Sequence, residues 1–184
     1  MSILVQHSGN IDDSWNDLKL FLDRCSPILS AGAGEGWTLD LQSCRYLGPD
    51  AAVLVVAMAA LGAAKGQHPE VLLPSSPPEL SAICKYVGLR HRFANGSRPT
   101  GSHPRSETVE ISQFYEATSL AERRVVELIA RHFPLSDEVE AALGMAVNVV
   151  IGNVAYHAES PIGALLAARY LKNKREVRVS VVDI

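Results

Sequence analysis

Cysteine is scarce in this sequence, and its spacing excludes two classes of site. The 184 residues contain three cysteines, Cys25, Cys44 and Cys84. An odd number without a Cys-x-x-Cys pair is not the pattern of a disulfide framework or a zinc site. Each cysteine lies in an apolar stretch, so we expect buried, reduced side chains and a cytoplasmic protein. The six histidines show no ligand spacing, and no metal site is assigned to them.

An excess of charge of one sign and long apolar runs are also lacking. Lys and Arg number 17 against 20 Asp and Glu, so neither nucleic acid nor an anionic membrane is an expected partner. The longest apolar run, residues 51–64, contains Gly62 and is shorter than the about 20 residues that cross a bilayer. The N-terminus lacks the basic and apolar segments of a signal peptide. We therefore expect a folded protein that is not embedded in a membrane.

Periodicity in the first half predicts alternating strands and helices. The glycine-rich loop at residues 31–36 lacks the Lys-Ser/Thr of a phosphate-binding loop. The helix over residues 50–65 is apolar nearly all round, which predicts burial against a sheet. Strand–helix alternation predicts right-handed crossovers and a mainly parallel or mixed sheet. Strands are predicted at residues 3–7, 37–41 and 71–73. The first predicted helix follows a cap at residues 10–13, and its apolar face comprises Trp15, Leu18, Leu22 and Ile28. Two further helices are predicted at residues 50–65 and 77–88.

The segment LDLQSCRYLGPDAA, residues 39–52, followed by that apolar helix, resembles the STAS domain of bacterial anti-anti-sigma factors. The resemblance covers residues 40–93 well and the N-terminal part loosely. In that family the helix is preceded by Asp-Ser-Ser/Thr-Gly, and a partner kinase phosphorylates the second hydroxyl residue. Asp50 stands at that position here, so the resemblance implies a regulatory residue that acts as a fixed mimic of phosphorylation. The alternative is that Asp50 only caps the helix.

A Gly-, Pro- and Ser-rich segment, residues 94–106, predicts a linker between two domains. After it, we expect a strand at residues 107–111, an amphipathic helix at 119–132 and a helix that begins after Ser136 and runs to about His157. A hairpin of residues 165–171 and 176–182 is expected next. In the last helix the predicted buried stripe comprises Val139, Leu143, Ala146, Val147, Val150 and Val154, with Asn153 about 60° to one side of its centre.

The segment NVVIGNVAYH, residues 148–157, resembles the Asn-Glu-x-x-x-Asn-Ala-x-x-His box of the Bergerat-fold (GHKL, histidine-kinase-like) ATPases. The resemblance implies that Asn153 holds Mg²⁺ on the phosphates of ATP and that His157 belongs to the same nucleotide site. Asp183 resembles the first residue of the Asp-x-Gly-x-Gly box, whose carboxylate accepts a hydrogen bond from the adenine amino group. ATP and Mg²⁺ are thus the implied cofactors, although binding is expected to be weak or absent in this chain.

Two departures from the ATPase pattern weaken the expectation of catalysis. Val149 stands where the family has its catalytic Glu, and an isopropyl group can neither take a proton nor orient water. The glycines that follow the Asp in the family, the lid and the second glycine box are absent, because the sequence stops at Ile184. We therefore predict no catalytic residue, and the ending suggests a fragment of a longer protein.

Together these patterns predict an α/β protein: a STAS-like mixed sheet with packed helices at 1–93, a linker at 94–106, and a partial Bergerat α/β sandwich at 107–184. The expected function is that of a bacterial signalling regulator that acts on a protein partner of the sigma or anti-sigma type. One alternative is an active ATPase or serine kinase in a longer chain. Another is a protein-interaction module with a vestigial nucleotide pocket. The oligomeric state is not predicted.

Overall fold

The computed structural model describes residues 2–11, 14–75, 107–114, 119–157 and 160–182, without the side chains of 155–157. The chain divides into two compact units, Met1–Pro99 and Thr100–Ile184. The predicted linker at 94–106, the predicted helix at 77–88 and the boundary at 93 lie outside the described residues. The two units are considered separately below.

The first unit contains five strands and two helices among its described residues. Its elements are β1 Ser2–Gln6, β2 Gly9–Ile11, α1 Trp15–Leu29, β3 Gly36–Asp40, β4 Cys44–Leu47, α2 Pro49–Ala64 and β5 His68–Leu72. The three predicted strands and the two predicted helices that fall within described residues are therefore present. Strands β2 and β4 are additional: they are short, and neither segment alternates clearly enough to be predicted from the sequence.

The strands of the first unit pair in parallel. The order is β1–β3–β5, with Val5 opposite Leu39 and Leu39 opposite Val71, while β2 pairs with β4. Between the β1–β3 ladder and the β2–β4 ladder, a backbone hydrogen bond continues the pairing: the His7 N–H donates to the Asp40 carbonyl (3.0 Å). The predicted parallel pairing is confirmed. It follows from the crossovers: a helix returns the chain to the end of the sheet where the preceding strand began, so the next strand runs in the same direction.

Helix α2 forms the centre of this unit, as its composition predicts. Eleven of its residues are buried, among them Val53, Val55 and Met58. Trp37 of β3 lies against it at Gly62 and is 1% exposed, and Leu39 of the same strand is 0% exposed. Gly66 ends the helix region in a positive-φ conformation (φ 75°) that an L side chain rarely adopts.

Helix α1 packs by a face that differs in part from the prediction. Its buried residues are Phe21, Cys25 and Ile28, whereas Trp15 is 74% exposed. The cap is Ser14, whose Oγ accepts from the Asp17 N–H at 3.2 Å, and not the segment 10–13, of which Asn10 and Ile11 belong to β2.

The second unit packs two helices on one face of an antiparallel sheet. Its elements are β6 Thr108–Phe114, α3 Ser119–His132, α4 Asp137–His157, β7 Ala164–Leu171 and β8 Glu176–Val182. The strand order is β6–β7–β8, and the predicted β7–β8 hairpin is confirmed, with Leu165 opposite Val182. The core joins the helices to the sheet through Val109, Ala121, Val125, Leu128, Ile151, Leu166 and Ala168.

The chain is therefore a mixed α/β protein with parallel and antiparallel sheets. This much of the predicted fold class is confirmed. Within the described residues, no helix is both long and apolar enough to span a membrane.

Candidate functional site

Helix α4 carries the residues that the sequence associates with nucleotide. Ser136 caps it: its carbonyl accepts from the Glu140 N–H at 2.9 Å, and its Oγ accepts from the Val139 N–H at 3.4 Å. The first turn contains three carboxylates, Asp137, Glu138 and Glu140. Acids at this end favour the helix because they oppose the positive end of its dipole.

The buried face of α4 differs from the predicted stripe. Ile151 is 1% exposed and packs in the core with partly buried Val147, and Gly144 lies close to Glu122 of α3. By contrast, Val139 and Val150 are 51% and 48% exposed, and Ala146 is exposed. The predicted burial of Val139, Ala146 and Val150 is therefore wrong. The helix is apolar on nearly every side, so its sequence does not select the face that the sheet covers.

Asn153 lies on the outward side of α4. It stands two positions after buried Ile151, which places the two side chains about 160° apart around the helix. Asn153 is exposed, and so is Val149, which is 54% exposed. The predicted position of Asn153 on the border of the buried stripe is thus corrected. Its amide is open to a ligand, and beside it is an isopropyl group where the ATPase pattern has a carboxylate.

The other two predicted nucleotide contacts cannot be placed beside Asn153. The side chain of His157 and the whole of Asp183 lie outside the described residues. Strand β8, which precedes Asp183 in the chain, ends at Val182 and pairs with β7 as predicted. The structure therefore describes one of the three residues in this prediction.

Asp50, the predicted regulatory residue, lies in the first turn of α2. The N-cap is Gly48, whose N–H donates to the Ile11 carbonyl (2.9 Å), and Pro49 is the first helical residue. Asp50 is half-buried. The alternative that Asp50 itself caps the helix is therefore wrong in position, although its carboxylate still stands where the helix dipole favours negative charge.

A buried histidine in the first unit was not singled out from the sequence. His7 follows β1, is 5% exposed, and contacts Phe21 edge-on with ring centroids 5.7 Å apart. Arg24 of α1 lies 3.2 Å from its Nδ1, so Nδ1 accepts and the proton belongs on Nε2. In the part of the chain that the structure describes, the buried Nε2 has no hydrogen-bond partner of ordinary geometry. The alternation of Ile3, Val5 and His7 is the signal that could have indicated its inward direction.

Burial is the main cause that lowers the pKa of His7. The Arg24 guanidinium lowers the pKa further, while the Asn10 backbone and the Asp17 carboxylate raise it by less. His7 is therefore neutral at pH 7. Burial also raises the pKa of the Cys25 thiol to about 12 and raises that of Cys44. Both thiols are free and buried, as predicted, and Cys84 lies outside the described residues.

In the described part of the chain, no three His, Cys, Asp or Glu side chains are close enough together to hold a metal ion. Any metal at Asn153 would have to arrive with a ligand that supplies most of its coordination, because one amide oxygen is a weak site by itself.

Comparison with known proteins identifies no relative. No protein-family model, no curated protein and no solved structure matches the chain.

Proposed function

We propose that this protein is a bacterial signalling regulator in which a STAS-like unit binds a protein partner. The observation that carries the proposal is the position of Asp50. It is half-buried in the first turn of α2, directly after the Gly48-Pro49 turn that follows β4. The sequence of residues 39–52 resembles the phosphorylated segment of anti-anti-sigma factors, and the parallel strands around it are compatible with that resemblance.

Asp50 then provides a permanent negative charge where the related regulators carry a removable phosphate. A phosphoserine has about two negative charges and three acceptor oxygens, whereas a carboxylate has one charge and two oxygens. A carboxylate also forms no stable phosphate ester, so this position does not switch in the same way. The proposed regulator is consequently held in one state with respect to its partner.

The second unit is proposed to be an ATPase-like domain without catalysis. Asn153 is exposed and can bind a nucleotide-bound Mg²⁺, but exposed Val149 provides no base beside it. Loss of a positioned base costs about 10²–10⁴ in rate. The active ATPase or serine kinase in a longer chain is thus the less favoured function, while a protein-interaction module with a vestigial pocket is favoured by the apolar side chains around Asn153.

The partner-binding proposal is tested at Asp50. Photo-crosslinking in the native bacterium, followed by mass spectrometry, should recover a sigma-factor antagonist or its kinase with the wild-type chain. Asp50→Asn keeps the side-chain shape but removes the charge, and it should reduce recovery at least tenfold. Asp17→Asn, in α1, is the matched control and should have no effect. Equal recovery with Asp50→Asn and wild type would contradict the proposed role of the charge.

The nucleotide proposal has its own test. We expect this chain to hydrolyse no ATP above a buffer blank and to show no calorimetric binding of ATP·Mg²⁺ at concentrations below millimolar. Hydrolysis that disappears in Asn153→Ala would show an active site and overturn the non-catalytic function. Hydrolysis that persists in Asn153→Ala would indicate a contaminating enzyme, and a repurified sample should then lose it.

A further inference from the structure

Two arginines lie side by side on the face of the second sheet that points away from α3 and α4. Arg169 of β7 stands opposite Arg178 of β8 on one side and opposite Thr108 of β6 on the other. We call these three residues the arginine row. The neighbours of Arg169 along β7, Ala168 and Tyr170, pack in the core with the helices, so alternation directs Arg169 to the other face. Opposite side chains have Cβ atoms about 5 Å apart, which brings both guanidinium groups within reach of one small anion.

The arginine row contains a hydrogen-bond donor that the described chain does not use. Arg178 Nε donates to the Glu176 carboxylate at 2.9 Å. Arg169 Nη1 is enclosed, and no group within the described ranges accepts a hydrogen bond from it. A buried donor without an acceptor is uncommon in folded proteins, and a bound ion is one of its ordinary explanations. The residues of the row are half-buried, so a change of rotamer turns the Arg169 guanidinium toward solvent, where an anion can reach it.

The hairpin that holds the arginine row is strongly basic, although the whole chain is not. Residues 164–182 contain five Lys or Arg residues and a single carboxylate, that of Glu176. Three of these cations, Lys172, Lys174 and Arg175, are exposed in the turn that begins three residues after Arg169. The net charge of the chain is -3, so the positive potential is concentrated at this end of the hairpin. Such a local potential attracts anions whatever the net charge of the protein.

We propose that the arginine row binds a phosphate-type oxyanion. A guanidinium group holds phosphate through two parallel hydrogen bonds, which are stronger than bonds between neutral groups. A phosphate group has about two negative charges, which matches two facing arginines, whereas a carboxylate has one and Glu176 already supplies one. The Thr108 hydroxyl can donate a further bond from the same row. The bound anion removes the repulsion between the arginines and accepts from the unused donor. This site is separate from Asn153, because α4 packs on the other face of the sheet.

Titration with inorganic phosphate, followed by phosphorus NMR at low ionic strength, tests the proposal with the whole chain. A few charge-assisted hydrogen bonds at a half-buried site correspond to a Kd on the order of 1 mM. Arg169→Met should weaken binding at least tenfold. Arg169→Lys should weaken it at least threefold, because it keeps the charge and loses the planar fork. Arg123→Met is the matched control: it removes the same charge from a side chain that is 69% exposed on α3, and it should bind phosphate like wild type.

Thermal unfolding measures the same binding by its effect on stability. Phosphate also stabilises proteins by exclusion from their surfaces, so the informative quantity is the difference between chains. With about 50 mM phosphate, compared with chloride at equal ionic strength, the Tm of wild type should rise by about 3 °C more than that of Arg169→Met. The Tm of Arg123→Met should rise as much as that of wild type. Circular dichroism should show that all of these variants are folded before the comparison.

Two further ligands identify the source of the phosphate. O-phosphoserine represents a phosphorylated group on another molecule, and acetate represents a carboxylate. Phosphoserine that binds as tightly as inorganic phosphate, or more tightly, assigns the row to a phosphorylated group, and weaker binding assigns it to the free ion. Acetate that binds as tightly as phosphate would contradict the proposed class of ligand.

Two results would overturn the site itself. One is equal phosphate binding by wild type and Arg169→Met. The other is an equal loss of binding in Arg169→Met and Arg123→Met, which would mean that phosphate responds only to the total charge. Neither result depends on the partner of Asp50 or on nucleotide at Asn153. The oxyanion site can therefore fail while the proposed function stands, and the reverse.

Discussion

A single histidine illustrates how much the packed environment changes the chemistry of a residue. His7 is buried between β1 and α1, with Arg24 at 3.2 Å from Nδ1 and, among the described residues, no partner of ordinary geometry on Nε2. Protonation of Nδ1 would place a second positive charge against the guanidinium and would remove the acceptor that Arg24 uses. The neutral ring is thus the form that the fold accommodates.

We predict that stability falls as the pH is lowered through the titration of His7. The unfolded chain takes up the proton first, near pH 6.5, because the pKa of His7 is lowered in the folded state. The free energy of unfolding should therefore decrease from about pH 6.5 down to the lowered pKa, and then level off. Urea unfolding between pH 5 and 7.5 measures this loss.

The control for this prediction compares two variants. His7→Leu should flatten the slope in that pH range, whereas His68→Leu removes an exposed histidine of β5 and should preserve it. A His7→Leu variant with the wild-type slope would contradict the argument.

A second prediction concerns Gly62 of α2. A Cβ at this position would lie 2.8 Å from Gln67 Oε1 and 3.1 Å from Trp37 Cζ2. Gln67 cannot easily move, because its Oε1 accepts from Trp37 Nε1 (2.9 Å) and its Nε2 donates to the Ala31 carbonyl. Gly62→Ala should therefore lower the free energy of unfolding by about 1–3 kcal/mol, although Ala is favoured over Gly in helices by about 1 kcal/mol.

The matched substitution for Gly62→Ala is Gly144→Ala in α4. Its Cβ would meet only Glu122 Oε1, at 2.7 Å, which is the end of a flexible side chain. Once that carboxylate swings away, the helix preference of Ala remains, so we expect a change between zero and a gain of about 1 kcal/mol. Chemical denaturation of both variants decides the point, and equal losses would show that the Trp37–Gln67 contact is not the cause.

At the scale of elements, the β7–β8 hairpin places two arginines directly opposite each other. Arg169 faces Arg178 in the antiparallel register, and like charges in such a pair are destabilising. Glu176 pairs with Arg178 at 2.9 Å. Among the residues that the structure describes, Arg169 Nη1 is buried without a hydrogen-bond partner. The register of the hairpin, which its apolar face requires, therefore leaves one guanidinium in an unfavourable place.

We expect Arg169→Met to be neutral or to raise the free energy of unfolding by up to about 2 kcal/mol. The substitution keeps an unbranched side chain while it removes an unpaired buried donor and the repulsion by Arg178. Thermal and urea unfolding test this, with Arg123→Met as the control, because the Arg123 side chain is exposed on α3. A loss above 1 kcal/mol would mean that Arg169 makes a favourable interaction that outweighs its burial.

At the scale of the whole molecule, the two units have separate cores. The first is built on a parallel sheet around α2, and the second on an antiparallel sheet beneath α3 and α4. The division between Pro99 and Thr100 lies within residues 94–106, for which a linker stays a prediction. Two units with their own cores can fold independently.

We therefore predict that a chain ending at Pro99 folds without the second unit. It should show helical circular dichroism and a cooperative urea transition, since the buried residues of α1, α2 and β3 belong to this unit. The chain from Thr100 is the reciprocal sample. A gradual transition in the shorter chain, with a cooperative one in the full chain, would show that the first unit needs the second.

Local signals in the sequence were enough for most element boundaries. The helix predicted at 119–132 matches α3, and Ser136 begins α4 as its capping role predicts. Alternation located β3 and β6, and the strand at β1 and the β7–β8 hairpin were also predicted. The STAS-like and Bergerat-like families and the nucleotide residues Asn153, His157 and Asp183 stay predictions. They depend on distant parts of the chain that come together in space, and on residues outside those described.

The sequence by itself determined which segments are helix or strand and that α2 is buried all round, because periodicity and composition are local properties. Only the tertiary structure decided which face of α4 meets the sheet, where Trp15 points, and that His7 is enclosed beside Arg24. An amphipathic helix such as α3 has one apolar side and therefore one possible orientation. Helix α4 is apolar nearly all round, so its contact with β7 and β8 decides that Ile151 is buried in the core and that Val149 and Asn153 are exposed.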